Sequence, residues 1–288
     1  VPAILGGMIS YQVGVSIAKT LFPVLGPAGT AGLRILLSAL VVAVMLRPWR
    51  HWPGWRPAAS ALPYGLSLGI MNLLFYLALD HLPLGVAVAT EFTGPLAVAI
   101  LGSRRRLDLL WAALMLGGLA LLLDPGAALR GSDVIGVALA LGAGLFWALY
   151  ILFGRRTAQR LPGPLATTLG LGVASIAVVP YCAPAMLPAL RSPRLLLAAL
   201  LVAILSSALP YTIEMAVLRR MDARAFAVLM SLEPGLASCS GFLLLGERLS
   251  LPRCAGVACV VAASIGSTLG QVRRRDRQRA PLPVPAEG

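Results

Sequence analysis

The sequence predicts an all-α integral membrane protein: ten transmembrane helices arranged as two inverted five-helix repeats. Three observations carry this. The 288 residues are 58% hydrophobic and only 12% charged, whereas soluble domains have about a quarter of their residues charged. Apolar segments of about 20 residues, each able to cross the hydrocarbon core as a helix, recur along the chain. Basic residues cluster in alternate loops.

The ten segments are 3–22, 28–46, 58–79, 83–103, 107–124, 133–153, 164–183, 195–217, 222–245 and 250–271. Between them lie breaks rich in Pro, Gly and Arg, such as PVLGP (23–27), RPWRHWPGWRP (47–57) and GRRTAQRLPG (154–163). No cleavable signal peptide is expected, because the first apolar run continues through Lys19 without a clear A-x-A site. The four cysteines lie in or at the ends of spans without C-x-x-C spacing and read as small packing residues. Residues 272–288 read as a disordered, charged tail.

The net charge of +13 would suggest a nucleic-acid partner if the basic residues formed one surface. They do not. Alternate loops and the tail hold seventeen arginines: 47, 50 and 56; 104–106; 155, 156 and 160; 219, 220 and 224; 273–275, 277 and 279. The opposite loops hold five: 130, 191, 194, 248 and 253. Basic residues mark the cytoplasmic side, so both termini are expected there. No basic cluster is interleaved with stacking aromatics, and no nucleic acid is expected as a partner.

A shift of 139 residues aligns Pro95 with Pro234, Gly102 with Gly241, Asp108 with Glu247 and Gly117 with Gly256. The match covers two successive helices in register. It divides the chain into repeats at 1–124 and 133–271. Five helices per repeat is an odd number, so the halves must sit upside down relative to each other. Inverted repeats recur in secondary transporters, whose substrate sites lie at the repeat interface near the midplane. Duplicated helices can also be scaffold alone. Glycine and alanine at four-residue spacing (Gly65 and Gly69; Gly136, Ala140 and Gly144; Gly266 and Gly270) suit close helix packing.

Five ionisable residues fall within spans: Lys19, Arg34, Glu91, Glu214 and Glu233. Each costs on the order of 2.5–3.5 kcal/mol at a helix centre, so each needs a reason. Glu91 lies eight residues into its span, about 12 Å deep at 1.5 Å per residue. Glu233 lies eleven residues into its own. Both precede a proline, at Gly94-Pro95 and Glu233-Pro234. Such pairs loosen a helix, and freed carbonyls are tolerated where they line a cavity. The two glutamates are therefore expected to face one cavity. The alternative for each is a protonated carboxyl hydrogen-bonded between helices.

Glu214 lies near the cytoplasmic end of its helix, close to Arg219 and Arg220. A surface ion pair or snorkelling carboxylate suits it as well as a site role. Lys19 is three residues from the outer end of the first span and can snorkel. It also continues a polar stripe with Gln12 and Ser16. Arg34 is about six residues deep and could pair with a carboxylate. Asn72 and Tyr76 share a face of the third span, Tyr211 flanks Glu214, and Trp147 and Tyr150 lie in the sixth. Interior aromatics serve packing more often than binding. No metal cluster, nucleophile–base pair or phosphate-cradling loop appears, so neither an enzyme nor a cofactor is expected.

The segments SIAKTLFPVLG (16–26), LRPWR (46–50), ATEFTGPLAVAIL (89–101), GAGLFWALYILFGRR (142–156), ILSSALPYTIEM (204–215) and LMSLEPGLA (229–237) resemble the threonine/homoserine exporter branch of the EamA family. That family belongs to the drug/metabolite transporter superfamily. The resemblance runs over nearly the whole chain and is most specific at EFTGP and SLEPGLA. It implies ten helices in inverted repeats, cytoplasmic termini and export of small amino acids from a bacterial inner membrane. A zwitterionic substrate would need a carboxylate for its ammonium (Glu91 or Glu233) and a cation for its carboxylate (Arg34 or Lys19). The proton gradient is the simplest energy source. A broader metabolite or drug exporter of the same fold is the alternative, favoured by a wide apolar cavity with one acidic residue.

Overall fold

The computed structural model describes residues 2–52, 54–101, 106–123, 131–210, 213 and 229–279. Among these the secondary structure is helical, with no strand. The helices are α1 (Pro2–Thr20), α2 (Phe22–Leu46), α3 (Trp55–Ala59), α4 (Ala61–His81), α5 (Leu84–Glu91) and α6 (Thr93–Leu101). There follow α7 (Arg106–Leu122), α8 (Gly131–Ala158), α9 (Gly163–Leu190), α10 (Pro193–Ala203), α11 (Glu233–Leu245) and α12 (Leu251–Arg279). A 3₁₀ turn occupies Pro48–His51, and a π-helical turn, Ile204–Ala208, continues α10.

Five stretches are long and apolar enough to cross a membrane: Phe22–Leu46, Trp55–His81, Asp133–Ala158, Gly163–Leu190 and Leu251–Leu269. Shorter apolar helices cover Leu84–Val98, Leu109–Leu122 and Pro193–Ala208. Their outward faces carry Leu40, Val44, Ile176 and Leu197, and that of α11 carries Leu243, all exposed. A belt of exposed aliphatic side chains suits hydrocarbon and not water. Helix continues through Arg279 in α12, past residue 271 where the sequence reading begins a tail.

The helices pair in a fixed scheme: α4 packs on α8 and α9, α2 on α9, α7 on α12, α5 on α11 and α1 on α11. Lipid tails are as apolar as leucine, so close packing rather than water exclusion holds such pairs together. The small residues permit it. Gly65 and Gly69 of α4 meet Val173 and Ala174 of α9. Gly29 and Gly32 of α2 face Ala185 and Cys182 of α9. Gly118 and Gly256 approach each other's carbonyls between α7 and α12. Cys182 is fully buried in this packing, whereas Cys239 and Cys254 are exposed on the outside of the bundle.

Two helix interruptions bear on function. The run from Leu84 breaks at Phe92, three residues before Pro95. The run ending at Met230 breaks at Ser231 and Leu232, just before Pro234. Phe92 and Ser231 are related by the same 139-residue shift as the prolines. Pro95 has no N–H, so the Glu91 carbonyl loses its helical donor. That carbonyl faces Gly144 of α8, where a Cβ would lie 2.6 Å away. Conversely, a Cβ on Gly94 would run into the Gly144 carbonyl oxygen. Two glycines thus let the broken helix lie directly on α8.

Gly94→Ala is expected to destabilise the bundle by about 1–3 kcal/mol, the usual cost of overpacking. Gly6→Ala, where nothing lies within 4 Å of the added carbon, should be neutral. Thermal unfolding of the two purified variants in detergent checks this. Equal melting points would show that the contact with α8 tolerates a methyl group.

Candidate functional site

A cavity of about 220 Å³ opens where α1, α2, α4, the α5–α6 break, α8, α10 and α11 converge. Its charged and polar lining is Arg34, Asn72, Glu91, Ser206 and Glu233. Tyr11, Trp147, Tyr150 and three methionines supply the apolar wall. Glu91 is 5% exposed and Glu233 8%, so both carboxyls sit inside the bundle yet border open space. A helix break of one or two residues lies beside each glutamate, at Phe92 and at Ser231–Leu232.

Arg34 is 6% exposed and is fixed by three hydrogen bonds. Its Nε donates to Ser206 Oγ (2.8 Å), one terminal nitrogen to Asn72 Oδ1 (2.5 Å) and the other to the Ser206 carbonyl (3.2 Å). The acceptors are themselves held. Asn72 Nδ2 donates to the Leu68 carbonyl (2.8 Å), and Ser206 Oγ to the Val202 carbonyl (2.6 Å). The Ser206 carbonyl is available because Pro210, four residues on, lacks the donor it would meet in a helix. The π-helical turn places it toward Arg34, with the Leu209 N–H reaching back to Ile204. The guanidinium also lies over the Tyr11 ring (5.6 Å) and the Tyr76 ring (5.3 Å). Such contacts with aromatic faces are made more often by arginine than by lysine.

Trp147 packs edge-on against Phe92 with ring centroids 5.5 Å apart, which follows from the close approach of α8 to the helix break. Tyr150 stacks on Tyr64 at 5.0 Å. These contacts set the apolar wall beside Glu91.

A second polar assembly closes one end of the bundle. Lys19 Nζ donates to Glu247 Oε1 (2.6 Å) and to the Leu82 carbonyl (2.9 Å). Glu247 Oε2 accepts from the Leu84 N–H (2.7 Å). The carboxylate is aimed by Gly246, whose positive φ of 67° ends α11 and turns the chain back. One ion pair therefore ties α1, α11 and the α4–α5 corner. Deeper on the same face, the Ser16 and Ser240 hydroxyls are hydrogen-bonded at 3.0 Å. At the same end Arg253 pairs with Asp133 (2.8 Å), joining the starts of α12 and α8.

Of the expected site residues, Glu91, Glu233, Arg34, Asn72 and Trp147 line the cavity together. Tyr76 lies behind Arg34, fully buried against Phe22 and Phe75. Gln12 is buried on α1 and is not among the residues lining the cavity, and among the described residues neither of its amide atoms has a hydrogen-bond partner. Lys19 belongs to the end latch: its carboxylate partner, Glu247, is two residues past the end of α11, where a snorkelling lysine can reach it. Glu214 and Tyr211 lie outside the described residues. Sequence reasoning passed over Ser206 and Tyr11. The signal for Ser206 is a serine four residues before a proline inside an apolar run.

Comparison with known proteins agrees with this architecture. The sequence model of the EamA-like transporter family matches residues 134–269. The chain is 45% identical to the threonine/homoserine exporter RhtA of Escherichia coli strain K12, over 92% of this chain and 90% of the relative. It is 46% identical to the exporter of the same name from Salmonella typhimurium strain LT2, over 91% and 88%. A probable amino-acid metabolite efflux pump of that Salmonella strain is 29% identical over 87% and 89%. A solved crystal structure with 20% identity superposes with a TM-score of 0.57, covering 93% of this chain and 98% of its own.

The latch yields a measurable coupling. Lys19→Met and Glu247→Gln should each lower stability by about 1–3 kcal/mol, as a charged group loses its partner. The double variant should lose about 1 kcal/mol less than the sum, read from thermal unfolding in detergent. Strictly additive losses would mean that the two residues act independently. With the helical bundle, its polar cavity and these likenesses in place, the chain belongs to the EamA-like transporter family, and it is a membrane transporter, not an enzyme.

Proposed function

We propose that the protein exports small amino acids, threonine- or homoserine-like, across a bacterial inner membrane by alternating access. The observation that carries this is the cavity itself, in which one fixed guanidinium and two carboxyls share a space of about 220 Å³. A zwitterion needs both charges, and a site this size suits a short side chain. Arg34 would hold the substrate carboxylate. Glu91 or Glu233 would meet its ammonium, and Asn72 or Ser206 could hydrogen-bond a side-chain hydroxyl. The relatives' substrates, over about nine-tenths of the chain, support the same reading.

The architecture we infer is ten transmembrane helices in two inverted repeats, 1–124 and 133–271. The recurrence of the helix break at Phe92 and Ser231 supports it. The termini are assigned to the cytoplasm from the arginine distribution. The Lys19–Glu247 latch then closes the periplasmic end. Transport requires that latch to open while the opposite end closes around the cavity. A protonatable carboxyl in the cavity, Glu91 first, would couple the cycle to the proton gradient.

A wider substrate range is the second reading. Met8, Met71 and Met230 line the cavity, and flexible thioethers adapt to differing shapes. The second acidic residue, Glu233, favours the narrower zwitterion reading.

Counterflow in proteoliposomes tests the class. Labelled threonine should accumulate in vesicles preloaded with threonine or homoserine, and not in vesicles preloaded with a bulky drug-like cation. Glu91→Gln should keep counterflow and lose uptake driven by a pH gradient. Normal gradient-driven transport by this variant would pass the coupling role to Glu233. Absence of counterflow with every amino acid tried would end the amino-acid reading.

Orientation has its own test. A reporter active only in the cytoplasm, fused after Arg279, should be active. Activity from a periplasm-dependent reporter at that position would reverse the orientation.

A further inference from the structure

The end of the bundle remote from the Lys19–Glu247 latch carries a second cleft, distinct from the transport cavity. It is larger, about 350 Å³, and lies between the α3–α4 corner and the last turns of α8. Three arginines line it: Arg56 from α3, Arg156 from α8 and Arg160 just beyond α8. The Thr157 hydroxyl donates to the Ser60 carbonyl (2.9 Å) and ties the two walls together. The cleft is therefore a built feature of the fold and not a gap between loops.

Its charge is unusual. No Asp or Glu occurs between residues 46 and 79, or between Asp133 and Glu214. The segments forming both walls are thus free of carboxylates. Among the described residues, no ion pair involves Arg56, Arg156 or Arg160. Arg156 instead lies against the Phe153 ring, 6.0 Å from its centroid. Three cations held around one concave space repel one another unless an anion sits between them. Guanidinium forks match the paired oxygens of phosphate.

The depth of the cleft points to the source of that phosphate. Trp49, Trp52 and Trp55 precede Arg56 and are 62%, 46% and 82% exposed. Trp52 and Trp55 pack edge to face at 5.2 Å. Large exposed indoles on a membrane protein belong at the headgroup level, where an apolar ring and a polar N–H are both accommodated. Tryptophans beside the cleft thus put its arginines level with lipid phosphates. Basic pockets between membrane helices take anionic headgroups in this way.

We propose that the Arg56–Arg156–Arg160 cleft binds the phosphate of an anionic phospholipid from the adjacent leaflet. Such a lipid would bridge the α3–α4 corner and the end of α8. Since α4 and α8 both line the transport cavity, the bound headgroup would brace that end of the transporter.

The test uses the full chain purified in mild detergent, with native mass spectrometry to count bound phosphatidylglycerol and phosphatidylcholine. Wild type should retain phosphatidylglycerol selectively. Arg56→Gln/Arg156→Gln/Arg160→Gln should weaken that binding by about tenfold or more, as charge-assisted contacts to phosphate are lost. Arg273→Gln/Arg274→Gln/Arg275→Gln removes the same charge elsewhere and should retain binding. Equal losses in the two variants would reduce the effect to diffuse charge and overturn the site. So would displacement of the lipid by millimolar inorganic phosphate, which would make the cleft a free-anion site. If the cleft variant does not fold, photoactivatable phosphatidylglycerol on wild type decides: adducts should map to residues 55–63 and 152–161. Adducts spread evenly over the other arginine-bearing segments would refute the assignment.

Discussion

In hydrocarbon every backbone carbonyl must be satisfied by the protein itself, and proline removes the donor that a helix would supply. Much of the site follows from where that constraint falls. Pro210 frees the Ser206 carbonyl, and Arg34 supplies the missing donor. Pro95 frees the Glu91 carbonyl at the face where Gly144 lets α8 approach. Pro234 costs less, because it lies in the first turn of α11, where the N–H it lacks would have no acceptor within the helix. One of the oxygens that hold Arg34 is thus presented by Pro210 and the π-helical turn. Glu91 and Glu233 border the same cavity as this guanidinium.

Burying a guanidinium this way has a consequence for specificity. Three hydrogen bonds and two aromatic faces fix its plane and leave it little rotational freedom. A preorganised cation presents the same edge to every ligand and loses no side-chain entropy on binding. The methionines that also line the cavity have flexible, adaptable side chains. Under the proposed amino-acid reading, the site would join a rigid element for a charged group common to all amino acids with an adaptable wall for whatever varies.

The helical, membrane-embedded character was legible in composition, segment length and arginine distribution. The cavity carboxylates were legible because charge in an apolar run needs an explanation. Trp147 and Asn72 were also singled out, one as an interior aromatic of the sixth span and one for sharing a face of the third span with Tyr76. Ser206 was missed because a lone serine in an apolar run carries no signal of its own, and half its role lies in a backbone carbonyl that side-chain reasoning does not see. Lys19 was half read. Its polar stripe with Gln12 and Ser16 is real, but the stripe faces α11 and ends in an ion pair with a residue 228 positions away. Sequence distance hides such a partner. The aligned pair Asp108 and Glu247 hinted that the position after α11 mattered, without saying to what.

The two ends of the bundle are built on different chemistry. The latch end is closed by complementary charges, Lys19 with Glu247 and Arg253 with Asp133. The other end has an aromatic stack, Tyr64 on Tyr150, beside a cleft of like charges. Such an asymmetry would bias a two-state transporter. Ion pairs at one end favour the conformation closed there, whereas repulsion among arginines at the other resists closure unless an anion screens it. An exchange of open ends requires both terms to be nearly balanced, since a ligand can shift a conformational equilibrium only by its difference in affinity for the two states. The partly exposed setting of the Lys19–Glu247 pair, at 22% and 16%, fits that requirement. Water that reaches the pair weakens its attraction, so the latch can hold one state without trapping the protein in it.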